Sequence, residues 1–320
     1  MIMGKKISVV IPVYKVEKYI RHTMIALINQ TYRDFEIILV DDGTPDESIS
    51  LAESVLIYHD LSYKVIHQKN SGQGNARNTG LMKSQGEWIY FLDSDDIILP
   101  HTLERLVEVA EIEQPDVVFS NYEDIYGYSD TYIENDKCAP VFIPAEKLQT
   151  AFLYRKLIFL APGTLYKKSF LVENNLLFEM IPWSEDQHFV WRVLSCITRA
   201  YYINESLYKY FRHENSIMTA TPIEKMINSY RKINKLPQYY LANKEVKQFI
   251  VPRWVMGTIN AATYMNSYDD WKKLIDVLDY GSNFKMLLKF KNPKVVMAAG
   301  IGIISPKLYY NIIKIRTTHK

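Results

Sequence analysis

ISVVIPVYKVEKYIRHTMIALINQTYRDFEIILVDDGT, residues Ile7–Thr44, decides the fold. Its first seven residues form a largely apolar run rich in Val and Ile, the pattern of a strand buried on both faces. Ile20, Met24, Leu27 and Ile28 then recur at helical spacing over about residues 17–30, and FEIILV (Phe35–Val40) restores the strand pattern. Outward from this unit the alternation continues. It predicts a helix over 46–59, a strand at Tyr63–His67, a helix over 74–84, a strand at Glu87–Leu92, a helix over 100–113 and a strand at Asp116–Ser120. Repeated strand–helix units with apolar strands predict an α/β fold with a mostly parallel sheet flanked by helices. Ligands of such sheets bind beyond the carboxyl ends of the strands. Residues 121–215 are less regular, with a Tyr-rich stretch at Tyr122–Tyr132, helical patterns near 146–155 and 185–197, and a strand pair near 200–212; from 222 onward the pattern is helical.

The chain has 320 residues, 48% apolar and 23% charged, enough to bury a large core, which excludes a disordered scaffold or a small stapled module. Its two cysteines, Cys138 and Cys196, lie far apart, which excludes a disulfide framework or a cysteine-built zinc site and fits a reducing compartment. The N-terminus lacks an apolar run of signal-peptide length before Lys15–Lys18. The formal net charge of +2 hides a segregation. From Tyr280 to Lys320 there are eight Lys or Arg and no Asp or Glu, so residues 1–279 are net acidic. A basic tail implies a polyanionic partner.

The residues just after the strands carry the chemistry. Pro12-Val13-Tyr14 ends the first strand, Asp41-Asp42-Gly43 the second, and Asp93-Ser94-Asp95-Asp96 the fourth. Carboxylates crowded at one rim are costly unless a cation joins them, and an Asp-x-Asp at a strand end suits a hard divalent ion whose shell is completed by phosphate oxygens and water. A solvated Asp-Asp-Gly turn, or an acidic helix cap before Pro100, is the bland account of each segment taken alone. Between the third and fourth strands, NSGQGNARNTG (Asn70–Gly80) offers glycines for close backbone approach, a helix N-terminus that favours anions, and Arg77. It matches neither a dinucleotide fingerprint nor a Walker loop.

Taken in order, ISVVIPVY, VDDGTPDES, NSGQGNARNTGL and FLDSDD resemble the successive signature segments of family-two glycosyltransferases with the GT-A fold, of the bacterial surface-polysaccharide type, over roughly residues 6–120. The resemblance implies a nucleoside-diphosphate-sugar donor, usually a UDP-sugar, with Mn2+ or Mg2+. It implies that Pro12, Tyr14 and Asp42 hold the nucleobase side, that Arg77 contacts the diphosphate region, that Asp93 with Ser94 meets the ribose or metal, and that Asp95 binds the metal. WSEDQHFVWR (Trp183–Arg192) resembles the family's acidic pair at a helix start, which maps the catalytic base onto Asp186 with Glu185 beside it. A Ser184 cap with two dipole-complementing acids is the alternative. Trp183 is an acceptor-stacking candidate, or a staple on the core. YFRHENSI (Tyr210–Ile217) resembles the loop after the catalytic helix, with Arg212 as a phosphate clamp and His213 as a third metal ligand.

Three parts are expected: a nucleotide-sugar-binding part over 1–120, an acceptor and catalytic part over 121–217, and a helical extension over 218–320. The apolar run Val295–Ile304 has ten residues, too few to cross a bilayer, which needs about 20. Leu308, Tyr309, Ile312 and Ile313 share a helical face, with Lys307, Lys314 and Arg316 elsewhere. The expectation is peripheral attachment of residues 285–320 to an anionic membrane at its cytoplasmic face, with a polyisoprenoid-linked saccharide as acceptor. Packing of these positions on the catalytic part or on a second subunit is the alternative, which makes a homo-oligomer a candidate state. No basic–aromatic module accompanies the charge, which argues against nucleic acid. Two further accounts compete: a sugar-nucleotide nucleotidyltransferase, which would want a Gly-rich phosphate loop after the first strand, and a non-catalytic saccharide-binding GT-A scaffold, which would not need Asp42, Asp93, Asp95 and Asp186 intact.

Overall fold

A computed structural model of the chain describes residues 6–129, 137–213, 222–233, 243–265 and 267–315. They gather into two compact units. One comprises Met1–Ala145, Ile158–Met180 and Glu185–His213; the other comprises Glu146–Leu157, Ile181–Ser184 and Glu214–Lys320.

The first unit is built on a mixed sheet. The strands β1 (Ile7–Val13), β2 (Phe35–Asp41), β3 (Ser62–His67) and β4 (Trp88–Phe91) lie in the order β3-β2-β1-β4, all parallel. Every residue of β1 and β4 is buried, as their largely apolar sequences require. Helix α3 (Gln73–Lys83) packs on β1 and β2. The approach is close, since a Cβ on Gly80 would come within 2.2 Å of Val10 Cγ1. Helices α1 (Ile20–Ile28), α2 (Ser48–Leu56) and α4 (Thr102–Glu113) contribute Met24, Leu27, Ala52, Leu103 and Leu106 to the same core.

Beyond β4 the sheet changes direction. β8 (Thr164–Lys167) runs antiparallel to both β4 and β6 (Val117–Ile125), and β9 (Arg199–Phe211) runs parallel to β6. The strand pair expected near 200–212 is one strand of 13 residues. It pairs along its early residues with β7 (Val141–Pro144) and along its late residues with the two-residue β5 (Ile97–Ile98). Register shifts between Ser120 and Tyr122 let β6 follow it. Helices α6 (Lys168–Glu173) and α7 (Glu185–Cys196) complete this unit.

The second unit is helical: most of α5 (Ala145–Leu153), then α8 (Ile223–Ile233), α9 (Lys244–Met265), α10 (Tyr268–Val277), α11 (Tyr280–Leu287), α12 (Pro293–Ile304) and α13 (Pro306–Ile315). Trp271, Phe284 and Tyr309 form its centre, where Trp271 Nε1 donates to the Ile259 carbonyl at 3.1 Å and Tyr309 OH donates to Asn260 Oδ1 at 2.6 Å. Tyr309, Tyr310 and Ile313 of the basic tail are therefore core residues, whereas Met297, Ile304, Leu308 and Ile315 face outward.

Candidate active site

Parallel pairing sets the site. Val13 stands opposite Asp41, and Val10 opposite Phe91, so the chain leaves β1, β2 and β4 at one rim and delivers Tyr14, Asp42 and Asp93 there. Tyr14 is exposed and Pro12 buried.

Asp42 is 2% exposed, and its carboxylate receives Gln68 Nε2, Ser71 N and Gly72 N, each at 2.8 Å. The residue expected beside a nucleobase thus organises the loop from which α3 starts. Gly72 enters that helix at φ +93°, a conformation that L side chains resist.

Gly74, Arg77, Gly80 and Leu81 form the buried stripe of α3, which puts a guanidinium where an apolar side chain is usual. Arg77 is completely buried. Its Nη2 donates to Asp93 Oδ1 and its Nη1 to Asp186 Oδ1, both at 2.6 Å. The guanidinium also lies 5.0 Å from the centre of the Phe178 ring, which stacks at 3.9 Å on Phe189 of α7. Burial works against the charge of Arg77, but Asp186 and Asp93 raise its pKa above the ordinary value. Its amino groups tie the end of β4 to the start of α7. Gln73 Nε2 adds a bond to Asp93 Oδ1 at 3.0 Å.

The acidic segment after β4 is held from three sides. Thr23 Oγ1 donates at 2.9 Å to the carbonyls of Ser94 and Asp96, and Tyr128 OH to that of Asp95 at 2.7 Å. Asp96 accepts from Tyr208 OH and from Phe211 N, the latter at 2.7 Å. Those bonds, with the β5–β9 pairing, bring the end of β9 beside Asp95, and His213 Nε2 lies 3.0 Å from Asp95 Oδ2. The imidazole lies 4.5 Å from the Tyr19 ring and 5.4 Å from Phe211. Burial and the neighbouring Asp93 push the Asp95 carboxyl up, against the pull of His213; burial and Asp95 push Asp96 up further. Arg212 pairs with Asp124 at 2.9 Å and lies over Tyr210.

Glu185 and Asp186 form the first turn of α7, after Ser184 at φ +63°. Burial and the Asp186 charge push Glu185 up to about 7, and burial raises Asp186 despite Arg77. Asp186 still keeps 40% of its side-chain surface open, so one flank meets protein and the other is accessible. Its Oδ2 has no hydrogen-bond partner among the described residues. Trp183 falls in the helical unit, 5% exposed, with its amide donating to Ser229 Oγ at 2.9 Å. Among the described residues no group of three His, Cys, Asp or Glu is arranged to hold an ion unaided.

Fold and rim together define a GT-A glycosyltransferase. The chain belongs to glycosyl transferase family 2, whose profile matches residues 8–172. It is 33% identical over 290 residues to the uncharacterized glycosyltransferase EpsJ of Bacillus subtilis strain 168, covering 86% of this chain and 83% of EpsJ. Glycosyltransferase GlyG of Streptococcus pneumoniae serotype 4 is 31% identical over 228 residues, 68% of this chain and 74% of GlyG. The crystal structure of S. aureus TarS 1-349 in complex with UDP-GlcNAc has a TM-score of 0.72 to this chain at 21% identity, over 97% of this chain and 90% of that one, a likeness of fold.

Sequence reasoning did not find Gln73, Phe178, Tyr208 or the anchoring role of Asp96. The signal for Arg77's partners was present: an arginine on a buried helical stripe demands carboxylates.

The raised Glu185 pKa makes a stability prediction. Between about 4.3, the unfolded value, and about 7, the folded protein holds a proton that the unfolded chain has lost, so this group's contribution falls as pH rises through that window and is level above it. In Glu185→Gln that slope is absent. Thermal unfolding should show the variant gaining on the wild type from pH 5 to pH 8; a difference independent of pH would contradict the assignment.

Proposed function

We propose that the protein is an inverting, metal-dependent glycosyltransferase that moves a sugar from a UDP-sugar to a hydroxyl of a saccharide acceptor, with Asp186 as the base. The observation that carries this is the Arg77 bridge, which fixes Asp186 against the donor-side Asp93 while leaving Asp186 Oδ2 open. As the acceptor oxygen bonds to the anomeric carbon and the carbon–oxygen bond to the diphosphate breaks, the hydroxyl proton passes to Asp186 Oδ2. A carboxylate held above its ordinary pKa is a better proton acceptor near neutral pH. Glu185, protonated over part of that range, adds less negative charge than a second free carboxylate would.

Asp93 and Asp95, with His213 beside Asp95, would hold a hard divalent cation only together with phosphate oxygens and water from the donor. Asp93 commits Oδ1 to Arg77 and Gln73, its Oδ2 accepts no bond among the described residues, and the mutual repulsion of Asp93 and Asp95 favours a cation between them. Such an ion takes a few protein oxygens together with phosphate oxygens and water. When bound it stabilises the charge of the departing diphosphate. Pro12, Tyr14 and Asp42 face the nucleobase side in this reading, with Arg212 as an outer phosphate contact. The fold shared with TarS, solved with UDP-GlcNAc, supports a UDP-sugar donor.

For the acceptor, a lipid-linked saccharide of bacterial surface-polysaccharide assembly fits the basic tail. Met297, Ile304, Leu308 and Ile315 are exposed beside Lys294, Lys307 and Lys314, an interfacial rather than a spanning arrangement. Among the described residues no helix is long and apolar enough to cross a membrane. Because Tyr309, Tyr310 and Ile313 are already buried, the anchoring face is narrower than the sequence suggests.

Asp186→Asn should lower kcat by about 10²–10⁴-fold, the usual share of a general base, with UDP affinity unchanged in calorimetry; wild-type turnover would end the assignment. Replacing both Ile304 and Leu308 by Gln should weaken co-sedimentation with anionic vesicles, whereas unchanged binding would favour packing against another subunit.

A further inference from the structure

Asp95 and His213 are 118 positions apart in the chain, yet their side chains meet at 3.0 Å. His213 stands just past the end of β9, whose pairing with β6 stops at Phe211 opposite Ile125. Arg212 N, donating to the Ile125 carbonyl at 2.8 Å, extends that ladder by one bond and leaves the next residue without it. A metal-binding imidazole usually has its second nitrogen held by a carboxylate or a carbonyl, which fixes the ring. His213 Nδ1 is buried and has no hydrogen-bond partner among the described residues. What fixes this ring is therefore packing, and the groups packed on it are aromatic.

The rings form a continuous stack. Phe211 lies 5.4 Å from His213 with the planes at 25°, Tyr128 lies 4.3 Å from Phe211 at 25°, and His22 lies 3.9 Å from Tyr128 at 12°. Tyr19 leans on the other end, 4.5 Å from His213 and 5.5 Å from Phe211. Rings at such separations attract, and each pair constrains tilt as well as distance. Both ends of the stack rest on one support, because Tyr19 stands at the N-cap position of α1 and His22 follows one helical turn later. Thr23, the next residue, holds the carbonyls of Ser94 and Asp96. The start of α1 thus carries both the stack and the acidic segment. Tyr128 joins them: it lies outside any strand or helix, its ring bears on Phe211, and its hydroxyl donates to the Asp95 carbonyl at 2.7 Å. All of these residues belong to the first unit.

We infer that Tyr128 is a positioning residue for the Asp95–His213 pair, acting on the imidazole through Phe211 and on the acid through its hydroxyl, with His22 backing its ring. The inference rests on the reading of this pair as the metal side of the donor site. Tyr128 takes no part in the transfer itself. It sets where His213 Nε2 and the Asp95 carboxylate stand before the donor's phosphate oxygens arrive. An imidazole free to swing loses rotamer freedom when a cation binds, and that loss is subtracted from affinity. A stacked imidazole has lost it already. The role of Tyr128 is thus read in the gain that a divalent ion gives to nucleotide binding, and not in nucleotide binding alone.

The test measures the Kd of UDP for the full chain by calorimetry, first in EDTA and then in excess Mn2+; the ratio of the two is the enhancement due to the ion. Tyr128→Leu removes ring and hydroxyl, and Tyr128→Phe the hydroxyl alone. The Leu variant should lose about threefold to tenfold of the enhancement, the scale of a lost aromatic pair, and the Phe variant less. Tyr126→Leu, at an exposed tyrosine of the same segment, should keep all of it. In a His213→Ala background the difference between Leu and Phe at position 128 should vanish, because the effect of the ring passes through the imidazole. The Kd in EDTA should be the same in every variant, which shows that the nucleotide side is still folded. Full enhancement in Tyr128→Leu, or a Leu–Phe difference that survives in His213→Ala, overturns the inference and leaves the metal reading standing. Loss of UDP binding in EDTA by Tyr128→Leu assigns the tyrosine a general structural role and overturns it as well. A wild type without enhancement overturns the metal reading, and this inference with it.

Discussion

A guanidinium sealed from water between two carboxylates of different elements is the constraint on which the site depends. Arg77 reaches Asp93 at the end of β4 and Asp186 at the head of α7 with one planar group. Removing a carboxylate from Arg77 leaves a buried charge under-compensated, more severely at Asp93, which is mostly buried, than at Asp186, whose side chain stays partly open. The surroundings serve the same arrangement. Phe178, backed by Phe189, lies over the guanidinium, and Gly80 lets α3 lie close enough to β1 for Arg77 to reach the rim from the buried side of its helix. Asp93 and Asp186 are thereby held in one geometry before any ligand arrives, the preorganisation that the roles proposed for them require.

A second anchor sets the other flank. Asp96 binds Tyr208 and Phe211, and the two-residue β5 pairs with the late part of β9, so the chain past β9 must deliver His213 to Asp95. Four parallel strands provide the rim, and one long strand from the antiparallel half provides the group that closes it. Burial and the neighbouring Asp93 push the Asp95 carboxyl above its ordinary range, and burial and Asp95 do the same to Asp96. A cation bound there, as proposed above, would offset that cost.

Much of this was legible in the sequence. β1, β2 and β4 read as near-continuous apolar runs because they are buried along almost their whole length, whereas the edge strand β3 is only half-buried, and the ends of those three strands named the rim residues Tyr14, Asp42 and Asp93 directly. The antiparallel half was not legible: β8 has four residues and β5 two, too short for a period, and β9 changes partners midway, which reads as two strands. Individual side chains were harder still. Asp42 and Arg77 were found, yet the sequence could not say that one carboxylate would bind its own neighbouring loop, or that an arginine would meet a carboxylate 109 positions away. In the tail, the amphipathic pattern marked Tyr309 and Ile313 as apolar without distinguishing a membrane from a helical core. Packing around Trp271 and Phe284 decided that question for those two residues and left Ile304 and Leu308 outside.

The most direct measurement is a double-mutant cycle on kcat between Arg77→Lys and Asp186→Asn, with a UDP-sugar and metal present. A lysine keeps the charge but cannot span two carboxylates. If Arg77 acts through the base, Arg77→Lys alone lowers kcat by about tenfold or more and causes little further loss once Asp186 is Asn, since residues that work as a unit are not additive. Losses that add in full would contradict the account and return Arg77 to a role independent of Asp186.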